Sequence, residues 1–314
     1  MTMLDVVVTS TRMLTPTVRE LTLSARSGRL PAFSSGSHIQ LCLRTGQREL
    51  RNAYSLVGEP GETSDKRNWR IAVRLSDASR GGSAFVHAGI EPGMTLRVTP
   101  PVNLFALHAT AHRHVLIAGG IGITPMVSHV AELTRRRADF ELHYAFRAGA
   151  SDAYADELRA QLGARYRGYD SAIERFDALR TLAAQPLGTH AYVCGPQSLI
   201  DAVRDAAGKL GWHAHRVHRE AFVAPAPGRP FTATLARSGH CIDVAADQSL
   251  LEALESAGVA IPNLCRGGVC GQCATPHLSG EIEHRDQFLS DHERHTHLMP
   301  CVSRARGATL SLDL

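Results

Sequence analysis

Four cysteines constrain this chain more than any other feature. Cys265, Cys270 and Cys273 follow a C-x4-C-x2-C spacing, and Cys301 stands alone after a further 27 residues. That pattern suits four thiolates round a [2Fe–2S] cluster: three come from one tight loop, and the fourth from a distant segment that need only reach the second iron. Gly267, Gly268 and Gly271 fit such a loop, since glycine tolerates left-handed backbone and lets N–H groups approach sulfur. A structural zinc site would add a second close pair to C-x2-C, which a lone Cys301 does not supply. The start, Met1 to Val8, lacks the basic segment and long apolar run of a signal peptide. Seven cysteines with four in one set therefore point to a reducing cytoplasm rather than a disulfide framework.

At 314 residues the chain has room for two or three domains. A composition of 44% hydrophobic and 20% charged residues excludes disordered and collagen-like classes. The longest apolar run, Val115 to Val127, is too short and too glycine-rich to span a bilayer, so no membrane partner is expected. The net charge of +4 is unevenly spread. From Phe231 onward there are six arginines and no lysine against ten acidic residues, so the rest of the chain is basic. An acidic module on a basic body suggests electrostatic docking. Apart from Arg135-Arg136-Arg137 at a helix end the basic residues are scattered, which argues against nucleic acid.

Residues 1–110 read as short strands punctuated by Gly, Pro and Ser, the pattern of an antiparallel β-barrel or sandwich. Two stretches within them carry chemistry: Arg51-Asn52-Ala53-Tyr54-Ser55, and Arg80-Gly81-Gly82-Ser83 after Ser79, opening a short helix. A helix start with a nearby arginine and a serine hydroxyl suits a phosphate. In this order the stretches resemble the ferredoxin–NADP reductase superfamily, where an R-x-Y-S segment lies along a flavin and a glycine–serine helix start binds its phosphate. The resemblance implies flavin contacts at Arg51, Asn52, Ala53, Tyr54, Ser55, Val73, Arg80, Gly81, Gly82 and Ser83. Asn52 stands where the family's arginine is expected and Arg51 is one position early, which leaves FMN, the expected flavin, open against FAD.

Residues 111–223 read as an α/β, Rossmann-like domain. His114 to Ala118 is a continuous apolar strand that enters Gly119-Gly120-Ile121-Gly122-Ile123-Thr124-Pro125. Strand, glycine loop and helix place a pyrophosphate on helix N–H groups, with Thr124 expected as N-cap and Pro125 at the first helical position. A second strand, Phe140 to Phe146, is followed by Arg147, and a later one, Ala191 to Cys194, runs into Gly195-Pro196. In the reductase superfamily these two loops flank a nicotinamide. The resemblance then puts Gly120, Gly122, Thr124, Pro125, Gly195 and Pro196 against the cofactor, Cys194 beside the hydride carbon, Glu220 as an orienting acid and Phe222 over the flavin. Arg147 would suit the 2′-phosphate of NADPH, whereas the nearer relatives point to NADH.

Residues 224–230 hold three prolines and a glycine, the mark of a semi-extended linker. Residues 231–314 continue with a hairpin (Phe231 to Ala236 and His240 to Val244), a helix between Ser249 and Ala257, the cysteine loop and closing strands. This layout resembles plant-type ferredoxins of β-grasp fold. Five of the seventeen histidines fall between His277 and His297, at spacings that suit a solvated loop better than a metal site.

Flavin barrel, nicotinamide domain and C-terminal ferredoxin, in that order, resemble the phthalate dioxygenase reductase family, with the carnitine monooxygenase and vanillate demethylase reductase types nearest. The resemblance implies a monomeric reductase that takes hydride from NADH onto a flavin. It then passes single electrons through the cluster to a terminal oxygenase of Rieske type. Plant-type clusters lie near about −400 mV and Rieske centres at about −150 to +300 mV, so that transfer runs downhill. A diiron hydroxylase or cytochrome acceptor, or a non-enzymatic electron carrier, are the alternatives. No C-x-H…C-x2-H pair occurs, so the chain carries no Rieske centre itself.

Overall fold

The computed structural model describes residues 3–45, 48–60, 68–76, 80–222 and 226–314. They form two compact units, Met1–Ala221 and Phe222–Leu314.

In the first unit the strands β1 (Leu4–Thr15), β2 (Val18–Ala25), β3 (Ser37–Thr45), β4 (Arg48–Val57) and β5 (Asn68–Arg74) precede helix α1 (Gly82–Ala88). Strands β6 (Thr95–Val98) and β7 (Val102–Asn103) follow it. The antiparallel order β4-β5-β2-β1-β6-β3 closes where β3 pairs again with β4, and β7 adds beside β3. A closed ring follows from alternation: Val6, Val8, Leu21, Leu23, Ile39, Leu41, Leu56 and Ile71 point inward and pack into one core.

The chain then enters a parallel sheet. Its strands are β8 (Arg113–Gly119), β9 (Asp139–Phe146), β10 (Tyr166–Asp170), β11 (Thr189–Cys194) and β12 (Val217–Glu220). They lie in the order β10-β9-β8-β11-β12, with helices α2 (Ile123–Arg135), α3 (Ala155–Leu162), α4 (Ala178–Ala183) and α5 (Gln197–Lys209) between them. The order reverses between β8 and β11, and a parallel α/β sheet binds ligands at the carboxyl ends of the strands beside such a switch point. Barrel residues Val18, Val57 and Ala72 share a buried cluster with Leu116, Met126 and Tyr144, so barrel and sheet are held by one core.

The second unit comprises β13 (Phe231–Leu235), β14 (Cys241–Val244), α5's successor α6 (Leu250–Ser256), β15 (Thr275–Ser279), β16 (Ile282–Glu283), β17 (His297–Leu298), β18 (Arg304–Ala305) and β19 (Thr309–Leu312). The main sheet runs β14-β13-β19-β15-β17, with β13 and β19 parallel, and β16 pairs with β18. Ser249 and Glu252 form a capping box that starts α6, whose Leu250 and Leu254 pack with Phe231, Ala233 and Leu310. Part of the expected linker is bound to this unit. Arg285 Nη1 donates to the Ala226 carbonyl at 2.7 Å, and the Gly228 N–H donates to the Ala246 carbonyl at 2.9 Å. The linker residues Ala224 and Pro225 lie outside the described residues. Among the described residues no helix is long and apolar enough to cross a membrane.

Candidate functional site

The two loops at the switch point meet backbone to backbone. A Cβ on Gly122 would lie 2.2 Å from the Cys194 carbonyl oxygen, and one on Gly119 would lie 2.7 Å from Pro196 Cδ. A Cβ on Gly195 would meet Gly119 Cα at 2.9 Å. Only glycine allows that approach. Gly120 takes φ +52° within a 3-10 turn, Gly120–Gly122, that leads straight into α2. Thr124 is not the N-cap expected of it. Because the 3-10 turn starts the helix early, Gly122 holds that position, and the Thr124 hydroxyl donates back to the Ile121 carbonyl at 3.0 Å. The first turn of α2 carries no side-chain cap, which suits an anionic phosphate at its N–H groups. Pro125 is buried in that turn, and Arg147 is exposed just past β9 with its N–H donating to Ser151 Oγ.

In the register of β11 against β12, Cys194 lies beside Glu220. Cys194 is fully buried, and burial together with the neighbouring carboxyl holds its thiol well above the ordinary range. Burial pushes Glu220 up to about 8, with the Ser55 hydroxyl pulling the other way. Glu220 Oε2 and Ser55 Oγ are both sealed from solvent, and among the described residues neither makes a hydrogen bond of ordinary geometry, although the hydroxyl lies close enough to favour the charged carboxylate. A carboxyl oxygen and a hydroxyl sealed from water with no well-formed hydrogen bond carry a desolvation cost that a polar ligand edge would relieve. Strands β4, β11 and β12 thus converge on one buried polar spot that could meet the edge of a planar cofactor.

Along β4, Asn52 and Tyr54 share a face, with Asn52 Nδ2 donating to Tyr54 Oη at 3.3 Å. Gly81 precedes α1 with φ +105°, and a Cβ on Gly82 would fall 2.2 Å from Asn52 Nδ2, so the amide rests on bare backbone. Arg51 points elsewhere and pairs with Glu49 at 3.0 Å, because alternation sends it to the other face from Tyr54. Ala53 shares the face of Ser55, and Arg80 is half-buried. Ser83 Oγ accepts the Ser76 N–H at 3.2 Å, while the Val73 carbonyl accepts from His87 Nε2 at 2.9 Å. Phe222 opens the second unit and is 45% exposed.

In the second unit the four cysteines form two pairs. The Cys270 thiol donates a hydrogen bond to Cys265 Sγ and lowers the latter's pKa, with backbone N–H groups of Gly267, Val269 and Cys270 adding to the effect. Cys301 does the same for Cys273. Among the described residues no group of three or more His, Cys, Asp or Glu could hold a single metal ion. A two-iron cluster does not need one, because each iron takes two thiolates, and two pairs supply that. Gly268 and Gly271 have φ of +73° and +77°, and a Cβ on Gly271 would strike the Phe288 ring at 2.3 Å. Gly267 is not left-handed; Arg266 is, at φ +52°. Arg266 escaped the sequence reading. Its guanidinium grips both Glu255 oxygens, at 2.9 and 2.8 Å, and Asn263 at 3.1 Å. An arginine in a cluster loop followed by glycine, with an acid at the preceding helix end, is the signal that could have revealed it.

Family models match residues 94–217 as a dimethylamine monooxygenase subunit DmmA-like N-terminal domain and residues 233–306 as a 2Fe-2S iron-sulfur cluster binding domain. A solved phthalate dioxygenase reductase, described as a modular structure for electron transfer from pyridine nucleotides to [2Fe–2S], superposes with a TM-score of 0.88 at 34% identity. The match covers 99% of this chain and 98% of that one. This chain belongs to the phthalate dioxygenase reductase family. It is 56% identical to the heme-dependent oxidative N-demethylase beta subunit of Ectopseudomonas mendocina, over 100% of this chain and 99% of that one. With the carnitine monooxygenase reductase subunit of Escherichia coli it shares 43% identity, over 99% and 98%. As a member of the phthalate dioxygenase reductase family, it is an oxidoreductase with a flavin barrel, a nucleotide domain and a [2Fe–2S] domain, and serves as the reductase component of an oxygenase system.

Proposed function

We propose that the oxygenase this reductase serves is haem-dependent and removes N-methyl groups from small amines. The observation that carries this reading is the 56% end-to-end identity with the heme-dependent oxidative N-demethylase beta subunit, against 43% with the carnitine monooxygenase reductase subunit. The match of residues 94–217 to a dimethylamine monooxygenase subunit domain supports it. A Rieske-type partner, implied by the family resemblance, is the second reading, favoured by that 43% identity.

Within the chain, Cys265 with Cys270 would hold one iron, and Cys273 with Cys301 the other. Gly119–Pro125 and Gly195-Pro196 would cradle NADH, with Cys194, Glu220 and Ser55 lining the place where nicotinamide meets flavin. Asn52, Tyr54, Arg80, Gly81, Gly82 and Ser83 would hold the flavin, read as FMN. A bound flavin supplies the ability to accept two electrons together and release them singly. The protein keeps Cys194 and Glu220 uncharged, so neither repels the electron pair as it arrives. The domain limits in this reading are 1–110, 111–223 and 231–314, joined by a linker at 224–230, in a monomeric protein of the cytoplasm.

The test is to reduce the full-length protein with NADH under anaerobic conditions and mix it with purified haem and Rieske oxygenase components in turn. Rapid reduction of the haem component alone supports the first reading. Reduction of the Rieske component alone replaces it with the second.

A further inference from the structure

Tyr154, at the N-cap of α3, has φ 63° and ψ 2°. Bulky residues enter this left-handed region rarely and stay only where their surroundings hold them, so such an outlier is a reason to look for a role. Its surroundings do hold it. The side chain is 6% exposed, and its hydroxyl donates to Glu20 Oε2 at 2.6 Å. Glu20 belongs to barrel strand β2, is 5% exposed, and faces Arg12 and Arg70, each at 3.4 Å.

The residues just before Tyr154 are tied down on two sides. Toward the barrel, the Thr15 and Thr17 hydroxyls both donate to the Ala150 carbonyl, at 3.0 and 2.8 Å. Toward the nucleotide sheet, the Tyr144 hydroxyl lies 2.7 Å from the Ser151 carbonyl oxygen and 3.1 Å from that of Gly120. A Cβ built on Gly120 would find Ser151 as its nearest neighbour, at 3.8 Å. Residues 147–154 therefore run as a bridge from the barrel wall to the glycine loop at the switch point.

We propose that this segment is a strap that sets the Gly119–Gly122 loop against the barrel, with Tyr154 and Glu20 as its positioning residues. The reaction it serves moves one hydride, two electrons with their proton, from NADH to the flavin and leaves NAD+. Its rate depends on the separation and angle of two rings held by different halves of the first unit, and an error of about 1 Å can cost about a hundredfold. A strained residue locked by a buried hydrogen bond keeps a single conformation where a relaxed loop would sample several. Tyr154 and Glu20 act on geometry and not on nucleotide affinity, because among the described residues their hydrogen bond joins strap to barrel and not to the glycine loop. The inference rests on the reductase reading.

The test uses the full chain carrying Tyr154→Phe, which keeps the ring and removes the bond. Hydrogen–deuterium exchange should rise both in residues 147–154 and in Gly119–Gly122. The dissociation constant for NADH should stay within about twofold, while flavin reduction in an anaerobic stopped-flow experiment slows by about tenfold or more. Faster exchange confined to the neighbourhood of Tyr154, with Gly119–Gly122 and the reduction rate unchanged, would overturn the strap. Should Tyr154→Phe not fold, Thr17→Val removes one of the two hydroxyls on Ala150, and the same pair of readouts decides. If the unaltered protein failed to reduce its flavin with NADH, the reductase reading would fall, and the exchange data would still judge the strap.

Discussion

Replacing Glu220 by glutamine tests the central site through stability alone. Burial lifts this carboxyl from its ordinary 4.5 up to about 8. Between those pH values the unfolded chain ionises Glu220 while the folded protein keeps it protonated. The stability it contributes is thus fully present below pH 4.5 and is lost as the pH rises toward 8. Each pH unit in that window costs about 1.4 kcal/mol, so the loss reaches roughly 3 kcal/mol by pH 7. Glutamine cannot ionise and escapes the loss. Its amide would be buried without an acceptor, at about 1–3 kcal/mol, but that penalty does not vary with pH. Glu220→Gln should therefore gain on the unaltered protein steadily from pH 5 to pH 8, whatever the offset between them. Urea unfolding followed by tryptophan fluorescence is the assay, since both tryptophans, Trp69 and Trp212, lie in the first unit. Parallel stability curves across this range would refute the claim that burial holds Glu220 neutral.

Three further outcomes are expected. Cys270→Ser should abolish the cluster's low-temperature EPR signal while NADH still bleaches the flavin; loss of both together would mean the second unit is needed for the first to work. Gly122→Ala forces a methyl to within 2.2 Å of the Cys194 carbonyl oxygen, so it should destabilise the first unit by about 1–3 kcal/mol and weaken NADH binding, as calorimetry and titration would show. Arg304, 2% exposed, donates to the carbonyls of Gln248, Arg229 and Ala245, at 2.6, 2.9 and 3.0 Å. Arg304→Met strands all three, and should lower the second unit's stability by roughly 3 kcal/mol, read from thermal loss of cluster absorbance; an unchanged melting curve would show that water replaces the guanidinium at no cost.

Much of the molecule was legible in its residues because the relevant physics is local. The cysteine spacing, the Ser249-x-x-Glu252 cap of α6 and the apolar strand β8 running into its glycine loop each rest on preferences within a few residues. Local reasoning went astray where neighbours along the chain were not neighbours in space. Thr124 looked like a helix cap until a 3-10 turn moved the start to Ile123, and strand alternation sends Arg51 toward Glu49, away from the face of Tyr54. The prolines of residues 224–230 read as a semi-extended linker, and the hydrogen bond from Gly228 to Ala246 is a tertiary contact that no local pattern announces.

Covalent order alone settles which groups are available: four thiols at cluster spacing, two glycine turns at strand ends, a tyrosine and serine on a barrel strand. Tertiary structure decided their chemical state and company. Glu220 is an ordinary glutamate until barrel and sheet close over it, and Gly122 is an ordinary glycine until β11 brings Cys194 against it. Backbone preference is a property of a short stretch. Desolvation and close approach belong to atoms far apart along the chain, and exist only once the fold has brought them together.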